Sequence, residues 1–134
     1  MYYDPSKGHG LPHNPFNAIV SPRPIGWVST RSKDGIDNLA PYSFFNAVAY
    51  TPPQVMFSAT SAKADQDGTK DTVANIRETG VFCVNIVSEK QLSEMNKSSQ
   101  ALSKEIDEFE FSDIEKQECN AINCPLVAGG PAAL

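Results

Sequence analysis

The chain has only two histidines, His9 and His13, and both fall in a Gly- and Pro-rich leader. Hydrolysis by a Ser or Cys nucleophile needs an imidazole as its base, so that chemistry has no partner among the apolar, core-forming segments. The two histidines are four apart, but Gly10 and Pro12 forbid the helix that would aim them at one metal. Carboxylates cluster in the polar stretches, which leaves paired-carboxylate hydrolysis without a site. No apolar run approaches the ~20 residues of a membrane span, and Met1 to Pro15 lacks the apolar centre of a signal peptide. A cytoplasmic protein without membrane contact is expected. Lys and Arg total 11 against 16 Asp and Glu, for a net charge of −5 and a pI near 4.9. That balance excludes nucleic acid as a partner, and any anionic ligand has to be held by a few local donors. Cysteine is sparse and odd in number: Cys83, Cys119 and Cys124 read as free thiols of a reducing compartment, Cys83 buried and the other two unligated.

What is present begins with an ordinary globular composition, 40% apolar and 20% charged, consistent with one domain over residues 1–134. The stretch from Ser21 to Lys70 organises it. Two β-prone runs flank Lys33-Asp34-Gly35, a strong hairpin signal. In the first run Ile25, Trp27 and Ser29 alternate with Gly26, Val28 and Thr30, and neither set is uniformly polar, so both faces should be covered. Pro22 and Pro24 belong to the strand's start or to a sheet edge, and they hold Arg23 extended, for a surface ion pair or a ligand contact. The second run, Ile36 to Phe45, carries Pro41 at what should be a bulge, bend or edge; a bulge would free backbone N–H groups for a ligand. After Pro52-Pro53, Gln54 to Thr60 reads as a third strand, which implies an antiparallel sheet or barrel. Small polar residues at the strand ends, Ser29, Thr30, Asn38, Ser43 and Asn46, suggest a site for something polar and planar.

Met1 to Asn14 reads as an extended arm, and the chain becomes strand-like from Phe16. Ser61 to Thr69 is a polar loop containing Lys63, Asp65, Asp67 and Gly68. It leads into a short helix over Lys70 to Thr79, stopped by Gly80. The amino end of that helix, with Thr69, Lys70 and Thr72, suits a phosphate; a capped surface helix is the equal alternative. No Walker spacing precedes the lysine. Val81 to Val87 is a fourth strand, and Ser88 to Gln91 a capping box that opens a helix with Leu92 and Met95 inward. The acids between Glu105 and Glu118 read as a solvated face around Ile106, Phe109, Phe111 and Ile114. Pro125 to Leu134 is apolar and β-tending, an edge that needs a partner chain or further sequence. A neutral, aromatic-lined, amide-rich pocket beside a phosphate-capable helix end fits a flavin mononucleotide, FMN.

In Pro22 to Thr30, Asn38 to Asn46, Pro52-Pro53, Lys70-Asp71-Thr72 with Asn75-Ile76, and Asp107-Glu108-Phe109, the sequence resembles the flavin reductase-like, FMN-binding split-barrel proteins, in the branch that includes flavoredoxin. The resemblance implies a mainly β fold with short helices: a six-stranded antiparallel Greek-key split barrel, paired as a homodimer with FMN near the interface. It implies that Asn38 to Asn46 runs along the flavin, with backbone amides of Ala40 and Tyr42 and side chains of Ser43 and Asn46 as contacts. Arg23 and Pro41 belong to the same set. Ser29, Thr30, Ser58 and Ala59 would line the pocket, and Lys70, Asp71 and Thr72 would sit at the phosphate. FMN, with FAD or riboflavin as variants, is the implied cofactor and NAD(P)H the co-substrate, whose hydride passes to flavin N5 by ring stacking. No catalytic side chain is implied. The downstream partner would be a flavin- or electron-accepting protein. The alternatives are a non-catalytic FMN-binding electron carrier and an inactive fragment, since family members continue for several strands past the position of Leu134 and the barrel here would be incomplete.

Overall fold

The computed structural model describes residues 2–60, 63 and 68–134, so Asp65 and Asp67 of the polar loop lie outside the described residues. In chain order the elements are α1 (Pro15–Ile19), β1 (Gly26–Arg31), β2 (Asp37–Tyr42), β3 (Phe45–Ala49), β4 (Gln54–Phe57), α2 (Asp71–Thr79), β5 (Cys83–Ile86), α3 (Leu92–Lys97), α4 (Glu108–Ser112), β6 (Lys116–Glu118) and β7 (Pro125–Val127). Mainly β with short helices is the class observed. The strands form a three-stranded antiparallel sheet β2-β1-β5 and two hairpins, β3-β4 and β6-β7.

β1 is central because its side chains supply two cores. Trp27 packs with Leu39, Met95, Phe109 and Val127 on one face. Val28 packs with Tyr42 and Val84 on the other, against Phe45, Phe57 and Phe82. Both faces are covered, as the alternation requires. The buried indole N–H of Trp27 donates to Ser98 Oγ at 2.9 Å, which satisfies the one polar atom in that core. The β1–β2 turn closes with the Ser32 N–H on the Ile36 carbonyl at 2.8 Å, and Gly35 takes φ +84, a region that favours glycine.

Pro41 sits in β2 without a bulge. The register runs unbroken from Arg31↔Asp37 to Gly26↔Tyr42, and β2 is an edge strand. The Leu39 N–H points away from β1, donating to Glu108 Oε2 at 3.1 Å. Two-residue alternation puts the Pro41 nitrogen on that same outer side, where its missing N–H costs no ladder bond. The same alternation turns the Ala40 and Tyr42 N–H groups toward β1, so they are ladder donors rather than the ligand donors expected. The irregularity in register lies instead between Ala47 and Ala49 of the β3–β4 pair.

Other expectations shift for local reasons. The segment from Phe16 is helical, because Asn14 Oδ1 accepts from the Phe16 N–H at 2.9 Å and Pro15 occupies the first turn. The second expected strand breaks at Ser43-Phe44, where β3 leaves to pair with β4, and β4 ends at Phe57 rather than Thr60. α2 and its Gly80 stop are as read, with the Gly80 N–H on the Ile76 carbonyl at 2.8 Å. The Ser88–Gln91 capping box forms, but a 3₁₀ turn over Glu89–Gln91 resets the helical phase. Met95 is buried while Leu92 is 52% exposed. The last residues are paired within the chain: Val84 and Leu134 exchange N–H···O bonds of 2.9 Å along β5. No described helix is long and apolar enough to cross a membrane.

Gly26 admits no side chain. A Cβ there would lie 2.8 Å from the Phe45 ring, across the seam between the sheet and the β3–β4 hairpin. Gly26→Ala is expected to cost about 1 to 2 kcal/mol, read as a lower urea midpoint with unchanged m-value. An unchanged midpoint would mean that the hairpin does not press on β1.

Candidate functional site

Two adjoining cavities open where the end of β2 meets the first turn of α2. One, of about 120 Å³, is bordered by Asn38, Ala40, Pro41, Tyr42, Lys63, Lys70, Asp71, Thr72, Glu108 and residues 98–102. The other, of about 270 Å³, is bordered by Asn17, Arg23, Pro41, Tyr42, Ser43, Phe44, Ser58, Thr60 and Lys70. Pro41, Tyr42 and Lys70 border both, so the two make one groove.

The second cavity carries two cations, Arg23 and Lys70, and no Asp or Glu among its described lining. Arg23 is aimed by its own neighbourhood. Its Nη1 donates to the carbonyls of Asn17, at 2.9 Å, and Val20, and its guanidinium stands 5.4 Å from the Phe44 ring centroid. Arg23 Nε is buried with no partner among the described residues. Lys70 is the N-cap of α2 in extended conformation, without a side-chain cap, so the first turn's N–H groups have no side chain from that position to bind them. Asp71, at the same end, pairs with Lys63. Its Oδ1 and the Tyr42 hydroxyl are also buried without a full hydrogen bond. Burial is the main force holding the Tyr42 phenol above its usual range; Thr72 beside it works the other way, and Asp71 and Glu108 add to the rise. A buried polar atom left unpaired costs about 1 to 3 kcal/mol, and the residues that carry these three, Arg23, Tyr42 and Asp71, all border the groove.

Beneath the groove lies a closed polar network. The Thr72 hydroxyl donates to Asn38 Oδ1 at 2.6 Å, the Thr30 hydroxyl to the same atom at 3.3 Å, and Asn75 Nδ2 to Thr30 Oγ1 at 3.0 Å. Asn38 Nδ2 donates to Glu108 Oε2 at 3.0 Å, beside the Leu39 N–H. Glu108 is 4% exposed, so the segment read as a solvated face turns one carboxyl inward. Burial pushes that carboxyl up to about 7; the bonds from Leu39 and Asn38 hold it down, and Asp71 nearby raises it further. A single sequence lacks the signal for this burial, although Glu108 is the middle residue of the Asp107-Glu108-Phe109 motif. On the far side of Asn38, Asp71 and Glu108 is a cavity of about 250 Å³ that also meets Asp34, Glu78 and Glu105. Its five acids against one cation, Lys104, disfavour an anion there, whereas the cavity at Arg23 and Lys70 has no Asp or Glu among its described lining.

The sequence-derived residues divide accordingly. Asn38, Ala40, Pro41, Tyr42, Lys70, Asp71 and Thr72 come together at the first cavity, and Arg23, Ser43 and Ser58 join Pro41, Tyr42 and Lys70 at the second. Ser29 does not. It is fully buried on the other face of β1, its hydroxyl donating to the Pro125 carbonyl at 2.6 Å and accepting from Asn85. Thr30 is equally buried, inside the network under the groove. Asn46 is exposed on β3 with its Oδ1 on the Ala47 N–H, and Ala59 packs on the Val28 core. Thr72 is 1% exposed and committed to Asn38, which removes its hydroxyl from the phosphate donors expected at the helix end.

This architecture is that of a flavin reductase-like split barrel, and the chain belongs to that family: residues 20–134 match the model of the flavin reductase like domain. A protein of Aquifex aeolicus with no assigned function is 42% identical over 109 residues, covering 81% of this chain and 55% of its own length. Nitrilotriacetate monooxygenase component B from Bacillus cereus superposes with a TM-score of 0.86 at 29% identity, over 100% of this chain and 65% of that one. An FMN-binding domain of a flavin reductases-like enzyme from Shewanella baltica gives a TM-score of 0.70 at 26% identity, over 83% of this chain and 55% of that one. The chain spans about half the length of the curated relatives it matches.

Proposed function

We propose that residues 1–134 form the FMN-binding unit of an NAD(P)H-dependent oxidoreductase of flavin-reductase type, acting as a homodimer with the flavin near the subunit contact. The observation that carries this reading is the groove itself: a buried, unpartnered Arg23 Nε and the N-cap Lys70 on a wall without carboxylates, continuous with a neutral wall of Pro41 and Tyr42. The similarity to an FMN-binding domain and to a monooxygenase component supports it. Bound FMN would supply an N5 atom that accepts a hydride and later gives up two electrons.

The chain's own residues bind and orient. Arg23 and Lys70 hold the phosphate by charge-assisted bonds. Glu108, through Asn38 and the Leu39 N–H, fixes the outer edge of β2, so that Pro41 and Tyr42 present a rigid face to the ring. None of these groups would need to move a proton at the reacting atoms; their part would be to hold and align the bound ring. A nicotinamide nucleotide meets no Gly-x-Gly-x-x-Gly segment here and would dock against the flavin instead.

The test is anaerobic mixing of the FMN-loaded protein with NADH or NADPH while the visible flavin absorbance is followed. Bleaching by one of the nucleotides at about 1 s⁻¹ or faster is expected. Bound flavin that neither nucleotide bleaches would leave an electron carrier reduced by another protein.

A further inference from the structure

Glu108 stands between two cavities. It borders the groove's first cavity together with Asn38, Asp71 and Lys70, and with the same Asn38 and Asp71 it borders the cavity of about 250 Å³ on the other side. Its carboxyl is 4% exposed, and both of its bonds to β2, from the Leu39 N–H at 3.1 Å and from Asn38 Nδ2 at 3.0 Å, end on Oε2. Two uncharged donors on one oxygen offset a buried charge only in part, and they leave Oε1 to carry a proton. Asp71 differs in this respect, because Lys63 supplies it with an opposite charge.

The cations that α3, β1 and β6 bring toward α4 are engaged with other groups. Lys116 pairs with Asp107, the N-cap of α4, and with Asp37 of β2, which also holds Arg31. Lys97 of α3 stands over the Phe111 ring, 5.3 Å from its centroid. On the acidic side, Glu94 of α3 has a buried carboxylate oxygen without a partner among the described residues, and Asp34, Glu78 and Glu105 line the far cavity with Lys104. Burial, ahead of these neighbours, brings the Glu108 carboxyl to about 7, so both of its forms are present near neutral pH. Asp34, Glu78 and Glu105 are exposed, so the far cavity reaches solvent and gives protons a route to Glu108 while the groove is filled.

We propose that Glu108 takes up a proton from solvent as FMN enters the groove, which makes flavin binding and protonation of this carboxyl one linked equilibrium. The coupling rests on the groove being the flavin site. A phosphate held at Lys70 brings up to about two negative charges to a cavity of about 120 Å³ that Glu108 also borders. Between buried groups salt screens little and the effective dielectric constant is about 20, so like charge at this range raises the carboxyl by about one pH unit. The proton passes from solvent to Oε1, and no bond of the ligand changes. Linkage is reciprocal: FMN favours the protonated carboxyl by the factor by which protonation favours FMN. At acid pH the carboxyl already holds its proton and the coupling vanishes, whereas at alkaline pH the carboxylate opposes the phosphate.

The experiment is a calorimetric titration of the full chain with FMN at pH 7.5, in HEPES and in Tris, whose different ionisation heats reveal any proton exchanged with the buffer. Uptake of about half a proton per FMN is expected for the wild type and none for Glu108→Gln. The phosphate's own second proton, with a pKa of about 6, would be released on meeting cations, which is the opposite sign. Fluorescence titrations add a second readout. Glu108→Gln keeps the shape of the carboxyl without its charge, and should bind FMN about fivefold more tightly than wild type at pH 8.5 and within about twofold of it at pH 6. A merely structural role would weaken FMN in the variant at both pH values. FMN bound without proton uptake, or bound more weakly by the variant at pH 8.5, would overturn the coupling and leave the flavin site standing. Folded protein that binds no FMN would overturn both. If Glu108→Gln does not fold, the wild-type calorimetry still decides.

Discussion

Replacing Lys70 by Ala is expected to weaken FMN about tenfold, and adding Arg23→Gln about a hundredfold in all, while riboflavin binding changes less than threefold. The two ligands differ only in the phosphate. Each charge-assisted bond to it contributes about 1.5 kcal/mol, and 1.4 kcal/mol is a factor of ten in Kd. Arg23 also holds the Asn17 and Val20 carbonyls, so its loss loosens the cavity wall as well; Lys70 makes no such bond among the described residues and is the cleaner probe. Arg23→Lys should restore only part of the loss, because an ammonium keeps the charge without the planar fork. Thr72→Val, by contrast, should weaken both ligands alike, since its hydroxyl supports Asn38 from below. Fluorescence titrations at one ionic strength give all of these values. Equal losses of FMN and riboflavin in the double variant would place the phosphate elsewhere.

Glu108 carries the other large effect. Glu108→Ala leaves the Leu39 N–H and Asn38 Nδ2 without their acceptor under the groove, at a cost of about 3 kcal/mol. Glu108→Gln keeps an acceptor oxygen and separates hydrogen bonding from charge. The folded carboxyl titrates at about 7, above the ordinary value near 4.3 of an unfolded chain. Below the unfolded value the protonated carboxyl contributes in full. As the pH rises from there to 7 the unfolded state loses its proton first, so stability falls by up to about 1.4 kcal/mol per pH unit. Wild-type protein should thus lose about 3 kcal/mol relative to Glu108→Gln between pH 4 and 8, in urea unfolding followed at several pH values. Parallel pH profiles for the two proteins would show that Glu108 does not titrate in a buried state.

What the sequence made legible was local. Asp34-Gly35 between alternating strands and Gly80 after Val73-Ile76 are complete within a few residues, and both elements form where they were read. The misses depend on distant partners. Ser29 and Thr30 look like ligand donors in a strand, yet the same small hydroxyls answer Asn85 and Asn75 inside the molecule, which only the packing of β5 and α2 against β1 decides. Glu108 reads as one acid among many until α4 docks on the outer edge of β2. Leu92 fails because a 3₁₀ turn displaces the helical phase after its capping box, and α1 because Asn14-Pro15 outweighs the β-prone residues behind it. Arg23 and Lys70 were both singled out, but their convergence across a wall free of carboxylates is a property of the fold.

The wild-type arm of the FMN titration bears most directly on the whole reading. Flavin-free protein, folded by circular dichroism, should quench FMN fluorescence saturably with one FMN bound per chain. Folded protein that leaves FMN fluorescence unchanged would contradict the assignment of the Arg23–Lys70 groove as a flavin site.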